Sequence, residues 1–437
     1  MIITRFAPSP TGQLHIGHLA GCLIDYMVAR QNGGKFFLRI EDTDQKREVQ
    51  GSADSTIKWL KVFGFEYDGE PVIQSARADI YKKYAEQLVN EDKAYHDDGA
   101  IRFRAPQPKP TIEWHDLVKG DMRLPGLERD PVILKSNGLP PYNLAHVVDD
   151  TIMGTTHVVR GEEWLVSTAE HIQLFRAFGF TPPHYVHYPV ISIVENGNKR
   201  KLSKRKDKEA LVENFIADGY PTDSIIEYVL TLLNTDYEIW RIKNPNTPWR
   251  EFTFRFEKIG SNSPLFDWNK LNDISKNIIA KMTCAQIDAA VDVYFATQSH
   301  ANIQKIKQVL AIDRETEKPR KDVAKWSDVL TLYDYLFTAP KATLTAEQKR
   351  ICREYAKVYN PSDTKEEWFA RIKTLCPTLV YCDNMKEYKQ NPSAHKGHIG
   401  DVTQAIRLAT TGRENTPDLF AILNILGAPE AIKRLSK

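Results

Sequence analysis

Pro8-Ser9-Pro10-Thr11-Gly12-Gln13-Leu14-His15-Ile16-Gly17-His18 is the stretch that decides the fold of this chain. Its first half is turn chemistry and its second half opens a helix. Ahead of it, residues 1–6 form a short apolar run suited to a buried parallel strand. Behind it, Ile16, Leu19, Ala20, Leu23, Ile24, Met27 and Val28 recur at helical spacing until Gly33-Gly34 stops them. Residues 35–40 read as a second strand, ending in Glu41-Asp42-Thr43-Asp44. Strand–helix–strand order implies a right-handed crossover and a doubly wound, Rossmann-type parallel sheet. At the carboxyl edge of such a sheet a helix N-terminus collects anions through its open N–H groups and its dipole. His15 and His18 share one face of that first turn. Two imidazoles beside a polyphosphate donate to oxygens that gain charge in a transition state. Gly17 leaves room for a flat adenine ring on the backbone. On its own, the histidine pair also reads as the polar cap of an ordinary surface helix.

Helical patterns return at residues 52–63 and 78–91. The proline-rich residues 95–140, with short alternating pieces such as Ile101-Arg102-Phe103-Arg104, read as a small inserted subdomain. The sheet is expected to resume at His157-Val158-Val159-Arg160, followed by a helix over 162–178 and a strand over 187–193. From about Asn269 the texture is helical only, with Ile278, Ile279, Met282, Ile287, Val291, Tyr294 and Phe295 on one face.

The chain has 437 residues, which at roughly 150 per domain suggests about three domains. Apolar residues are 42% and charged residues 27%, which excludes disorder, collagen-like repeats and a coiled-coil rod. No run of about 18 apolar residues is present, so no membrane span is expected. Met1-Ile2-Ile3-Thr4-Arg5 leads straight into the motif, so no signal peptide is expected. Five cysteines do not make a disulfide framework, and a cytoplasmic location is the expectation. A net charge of +2 leaves any nucleic-acid contact to a local basic surface.

One such surface is visible. Seven of the eleven residues from Asn198 to Lys208 are basic, around Lys199-Arg200-Lys201-Leu202-Ser203-Lys204-Arg205-Lys206. A cationic loop of this kind closes over a triphosphate and stabilises the charge that spreads as pyrophosphate leaves. Taken alone, a basic run is more often a solvated face.

Together the two elements resemble the HIGH and KMSKS signatures of the class I aminoacyl-tRNA synthetases. The finer resemblance is to the bacterial-type glutamyl branch. It is carried by Arg5–Gly12 (RFAPSPTG), Arg39–Asp44 (RIEDTD), Tyr142–Asp150 (YNLAHVVDD), Arg160–His171 (RGEEWLVSTAEH), Lys201–Arg205 (KLSKR) and Pro264–Leu271 (PLFDWNKL), in family order. Glutaminyl relatives open with a PEPNG-type string instead. Ile406–Gly412 (IRLATTG) and the closing Leu426-Gly427 resemble the family's anticodon-binding part.

The resemblance implies glutamate activation by ATP with Mg²⁺, then transfer to the 3′ end of tRNA(Glu), with tRNA(Gln) as an alternative acceptor. It divides the chain into a first Rossmann half (1–95), an inserted acceptor-end subdomain (96–140), a second half (141–200), a KMSKS and stem-contact region (201–300) and a helical anticodon-binding region (301–437). His15, His18 and Lys204 take the catalytic roles. Arg5, Ala7, Ser9, Glu41, Tyr142, His146 and Arg160 take glutamate. His15, Gly17, His18, Glu163, Trp164, Lys201, Ser203, Lys204 and Arg205 take ATP. Glutamate's two carboxylates and one ammonium call for two guanidiniums and one carboxylate, which Arg5, Arg160 and Glu41 supply. Arg160 is assigned the side-chain carboxylate, because glutaminyl relatives lack arginine there.

The chain departs from the family at His146, usually asparagine, and at His18, usually small in bacterial glutamyl enzymes. The insertion lacks the cysteine cluster some relatives use for zinc. Cys376, Cys382, His395 and His398 loosely resemble a zinc finger, but their spacing misses the usual limits, so no zinc is expected. A monomer is the default. The other readings are a glutaminyl enzyme, a nucleotidyltransferase of the HIGH superfamily making a small adenylylated cofactor, and a binding-only relative.

Overall fold

The computed structural model describes residues 1–202, 206–207, 210–296 and 302–437. These fall into two compact units, Met1–Ile274 and Ser275–Lys437.

In the first unit, β1 (Ile3–Phe6), α1 (Ile16–Gln31) and β2 (Lys35–Ile40) form the expected crossover, with β1 parallel to β2 in the register Ile3 to Lys35 and Phe6 to Leu38. Phe36, Leu38 and Ile40 are buried, and so are all seven apolar residues of the α1 face. Each such side chain taken out of water contributes roughly 1.5–3 kcal/mol. Gly34 admits no side chain: a Cβ there would stand 1.8 Å from the Ile2 carbonyl, where the chain turns back into β2. After α2 (Ser52–Phe63), β3 (Val72–Ile73) pairs in parallel with the far side of β2. α3 (Ala78–Asn90) follows.

The inserted segment supplies five strands. β4 (Ala94–Asp97), β5 (Ala100–Phe103) and β8 (Val132–Leu134) make an antiparallel sheet. β6 (Thr111–Asp116) and β7 (Gly120–Pro125) form a hairpin, and β6 then joins the parallel layer. α4 (Tyr142–Ile152), β9 (His157–Gly161), α5 (Thr168–Phe178) and β10 (His184–Tyr188) complete that layer. β9 lies against β1, because the Thr156 N–H donates to the Ile3 carbonyl at 2.9 Å and its hydroxyl accepts from the Ile3 N–H at 2.8 Å. The parallel strands therefore run β3, β2, β1, β9, β10, with the β6–β7 hairpin at the edge.

Two sequence expectations change here. The helix expected over 162–178 begins only at Thr168, because residues 162–164 make a 3₁₀ turn. The strand expected over 187–193 is split at Pro189 into β10 and β11 (Ser192–Glu195). Proline has no N–H for the ladder. β11 then folds back on β12 (Asn198–Lys201) through Asn196-Gly197, both at positive φ, the backbone a two-residue hairpin turn requires. α6 (Val212–Asp218), α7 (Thr222–Leu233) and α8 (Tyr237–Lys243) follow.

In the second unit every regular element among the described residues is a helix. Thr283, Thr345 and Thr364 each cap one, with Gln286, Gln348 and Glu367 closing the reciprocal bond to the cap N–H. Two apolar clusters fill the interior. One gathers Ile287, Val291, Phe295 and Ile306, and the other Tyr355, Trp368, Ile372 and Ile406. The IRLATTG string is the end of helix Ile399–Thr411, and its glycine, at φ 70°, stops it. Of the finger-like quartet, Cys376 is core, His395 is half-buried and His398 caps that helix, its Nδ1 accepting from the Gly400 N–H at 2.9 Å. Cys382 instead stands with Asp383 and Glu387, their potential ligand atoms within 4.8 Å of one another.

Candidate active site

The β1–α1 turn brings His15 and His18 together at the first turn of α1, as the sequence suggests, with one addition. His15 is the N-cap of α1: its Nδ1 accepts from the Gly17 N–H at 2.9 Å, and the His18 Nδ1 accepts from the His15 N–H at 3.2 Å. An imidazole that accepts at Nδ1 carries its proton on Nε2. The cap therefore fixes both tautomers with an Nε2–H donor. The two rings lie 4.0 Å apart. Gly17 is needed for this arrangement, because a Cβ would meet the His15 ring at 2.6 Å.

A cleft of about 420 Å³ joins the two signatures. His15, Gly17 and His18 line one side, and Gly161, Glu163, Tyr188, Lys201 and Leu202 line the other. Lys201 Nζ sits 2.6 Å from Glu163 Oε1. The chain enters the basic loop at Leu202, in this cleft, and returns at Leu211, bridged to His15, with the Val212 N–H on the Leu14 carbonyl at 2.9 Å. Ser203, Lys204 and Arg205 lie outside the described residues.

A second group of polar side chains, mostly buried, lies at the ends of β1, β2 and β9. α4 carries Tyr142, His146, Asp149 and Asp150 at positions i, i+4, i+7 and i+8, one face of a helix. Asp150 is the hub. It holds Arg5 Nε and Arg39 Nη1, each at 2.8 Å, and His146 Nδ1 at 2.7 Å. Arg39 also reaches Glu41 Oε1 at 2.9 Å. Burial works against ionisation here, yet Arg39 and Arg5 hold the Asp150 carboxyl well below the usual range. Burial pushes the Glu41 carboxyl up. The Glu41 N–H donates to the Pro8 carbonyl at 3.1 Å, which sets half-buried Ala7 and exposed Ser9 beside this group.

Arg160 stands apart electrostatically. Its Nε donates to His187 Nε2 at 3.0 Å, its Nη1 to the Tyr142 hydroxyl at 3.2 Å and its Nη2 to Thr168 Oγ1 at 2.8 Å. Nη2 also meets His171 Nδ1 at 3.3 Å and the Trp164 carbonyl at 3.4 Å. Each of these acceptors is neutral, although Arg160 is only 7% exposed. Through Tyr142, which stacks on His146, it joins the Asp150 network. Arg5 and Arg39 are thus paired with Asp150 and Glu41, whereas Arg160 has no direct carboxylate partner among the described residues.

The match to known families is as direct. The model for tRNA synthetases class I (E and Q), catalytic domain, matches residues 1–100 and 96–272, and one for an anticodon binding domain matches 294–437. The chain belongs to the class I tRNA synthetases of the glutamate and glutamine branch. Among curated relatives, the glutamate–tRNA ligase of Clostridium beijerinckii is 38% identical over 100% of this chain and 93% of its own length. That of Thermus thermophilus is 31% identical over 100% and 99%. A solved glutamate tRNA ligase from Elizabethkingia meningosepticum, in complex with its amino acid, shares the fold with a TM-score of 0.79 at 24% identity, covering 99% of this chain and 98% of that one.

In this synthetase, Trp164 is placed against Tyr142, ring centroids 4.6 Å apart, and not among the residues lining the cleft where ATP contacts are expected. Arg39, Asp150, Thr168, His171 and His187 are site residues that sequence reasoning passed over. All but His187 fall inside a quoted block, and the role of each depends on contacts between distant segments.

The buried histidines make the stability of this unit pH-dependent. Burial pushes His146 down to about 3 and His171 and His187 below the usual imidazole range. Unfolded, each titrates near 6.5, so below that pH the unfolded chain binds more protons. Stability is complete above about pH 6.5 and is lost as pH falls toward the folded values. His146 alone contributes a slope of up to about 1.4 kcal/mol per pH unit. The urea midpoint should therefore fall steadily from about pH 7 to about pH 5, and less steeply in His146→Asn. A flat midpoint across that range would contradict the assignment.

Proposed function

We propose that the chain ligates L-glutamate to the 3′ end of tRNA(Glu), using ATP. The observation that carries this reading is Arg160, a buried guanidinium whose direct partners are all neutral. Glutamate brings a side-chain carboxylate to this guanidinium and glutamine does not, so only glutamate gives Arg160 a charged partner. A buried charge left unpaired is costly, which disfavours glutamine by more than a lost hydrogen bond. In this reading Arg160, with the Tyr142 hydroxyl, takes the side-chain carboxylate. Glu41, steadied by Arg39, takes the ammonium. Arg5, oriented by Asp150, faces the α-carboxylate beside Ala7 and Ser9.

An oxygen of the α-carboxylate attacks the α-phosphorus of ATP, and the bond to pyrophosphate breaks. His15 and His18 donate from Nε2 to phosphate oxygens that gain charge in that step. Lys201, Ser203, Lys204 and Arg205 stabilise the departing pyrophosphate, with Mg²⁺ arriving on the triphosphate. The 2′-hydroxyl of the terminal adenosine then displaces AMP from the glutamyl-adenylate. Both steps rely on positioning and charge stabilisation. Residues 96–140 meet the acceptor end, 201–300 the stem and 301–437 the anticodon. Charging of purified tRNA(Glu) and tRNA(Gln) with labelled glutamate or glutamine tests the proposal. Glutamate should be transferred to tRNA(Glu), and transfer of glutamine instead would overturn it.

A further inference from the structure

The inserted segment reaches further into the amino-acid pocket than its place at the sheet edge suggests. β6 ends at Asp116, which is wholly buried. Its Oδ1 accepts from the Val118 and Lys119 N–H groups at 3.0 and 2.9 Å. Its Oδ2 lies 2.5 Å from Nδ1 of His187 on β10, the neighbour with which β6 pairs. An ionised carboxylate only accepts, so the His187 proton stands on Nδ1. Nε2 then carries a lone pair, and that lone pair receives the Arg160 Nε–H at 3.0 Å. Asp116 is thus one imidazole away from the guanidinium that reads the substrate.

We propose that Asp116 is a positioning residue for amino-acid recognition: by fixing the Nδ1–H form of His187 it keeps an acceptor facing Arg160, which holds the guanidinium toward the substrate's side-chain carboxylate. The proposal rests on the glutamate-ligase reading. Glutamate recognition then depends on a residue delivered by the insertion, 44 positions before Arg160 in the chain (160 − 116). The same turn adds a second tie, since Lys119 Nζ stands 2.6 Å from Glu162 Oε2, two residues beyond Arg160.

Asp116→Asn tests it. The Val118 and Lys119 N–H groups claim the one amide oxygen, so the amide nitrogen faces His187 and donates to Nδ1. The His187 proton moves to Nε2, and two donors, His187 Nε2–H and Arg160 Nε–H, oppose each other. The KM for glutamate should rise roughly 10–100-fold, the effect typical of losing the partner that orients a functional group, while the KM for ATP stays within about twofold. In His187→Gln with Asp116 intact, the glutamine amide donates to the Asp116 carboxylate and turns its oxygen to Arg160, so the glutamate KM should stay within about twofold. Histidine ¹⁵N spectra of the full-length wild-type protein should show His187 as the Nδ1–H tautomer, a measurement that needs no variant to fold. A wild-type Nε2–H tautomer would overturn the proposal. So would a folded Asp116→Asn enzyme with an unchanged glutamate KM or with glutamate and ATP KM values rising together, or a His187→Gln enzyme whose glutamate KM rises as far as that of Asp116→Asn. Absence of glutamate-dependent activity in the wild type would instead strike the ligase reading, leaving the tautomer assignment standing.

Discussion

Arg160→Gln is expected to lower kcat/KM for glutamate by roughly 10²–10³-fold and to erase most of the preference for glutamate over glutamine. Truncating one partner of a buried charge pair costs about 2–5 kcal/mol, largely because the other charge stays buried and unpaired. Here the unpaired charge would be the substrate's own side-chain carboxylate, which no other guanidinium is placed to take: Arg5 and Arg39 are already held by Asp150. Glutamine, carrying no such charge, loses far less. Arg160→Lys keeps the charge but not the planar fork that reaches His187, Tyr142 and Thr168 together. It should therefore recover only part of the glutamate activity. Competitive charging with mixed amino acids reads both effects, and an undiminished preference in Arg160→Gln would remove Arg160 from specificity.

His15→Ala and His18→Ala should each lower kcat for adenylate formation by roughly 10²–10³-fold with little change in the KM for glutamate, the magnitude seen when one preorganised donor to a developing charge is lost. The structure adds a complication and its remedy. His15 is also the N-cap of α1, so alanine there destabilises the helix by about 1 kcal/mol whatever the chemistry. Asparagine is a good N-cap but has no imidazole Nε2–H. In His15→Asn the thermal midpoint should return while the rate does not. Recovery of both would reduce His15 to a cap. Lys204→Ala, in the basic run of the sequence, should lower the same rate.

Much of this was legible in the order of strands and helices. The crossover from β1 to β2 follows from apolar spacing and the Gly33-Gly34 stop, and Lys35–Ile40 is a strand with the bounds its pattern suggests. The capped-helix reading of His15 and His18 is what the structure shows, and the cap sets the tautomers that the proposed phosphate contacts would use. The Asp150 hub was half visible: Tyr142, His146, Asp149 and Asp150 put polar groups at the spacing where a buried helix face carries apolar ones, a signal of inward-facing charge. Its partners Arg5 and Arg39 were not, because they sit 145 and 111 residues away in the chain. The neutral shell around Arg160 was hidden for the same reason. It is assembled from α4, α5 and β10, and its tautomers are set by the insertion. The break at Pro189 was readable from proline's missing N–H. The late start of α5 was not: there Thr168 Oγ1 donates to the Trp164 carbonyl and accepts from Arg160, so that turn serves the pocket and not the helix.

The most direct test of a buried Arg160 that lacks a direct carboxylate partner, beside a cleft that joins the two signatures, is ATP–pyrophosphate exchange with purified full-length protein, run with and without tRNA(Glu). Exchange that requires glutamate, is not supported by glutamine and appears only when the tRNA is present is the predicted result. Exchange driven equally by glutamine, or by neither amino acid with the tRNA present, would contradict it.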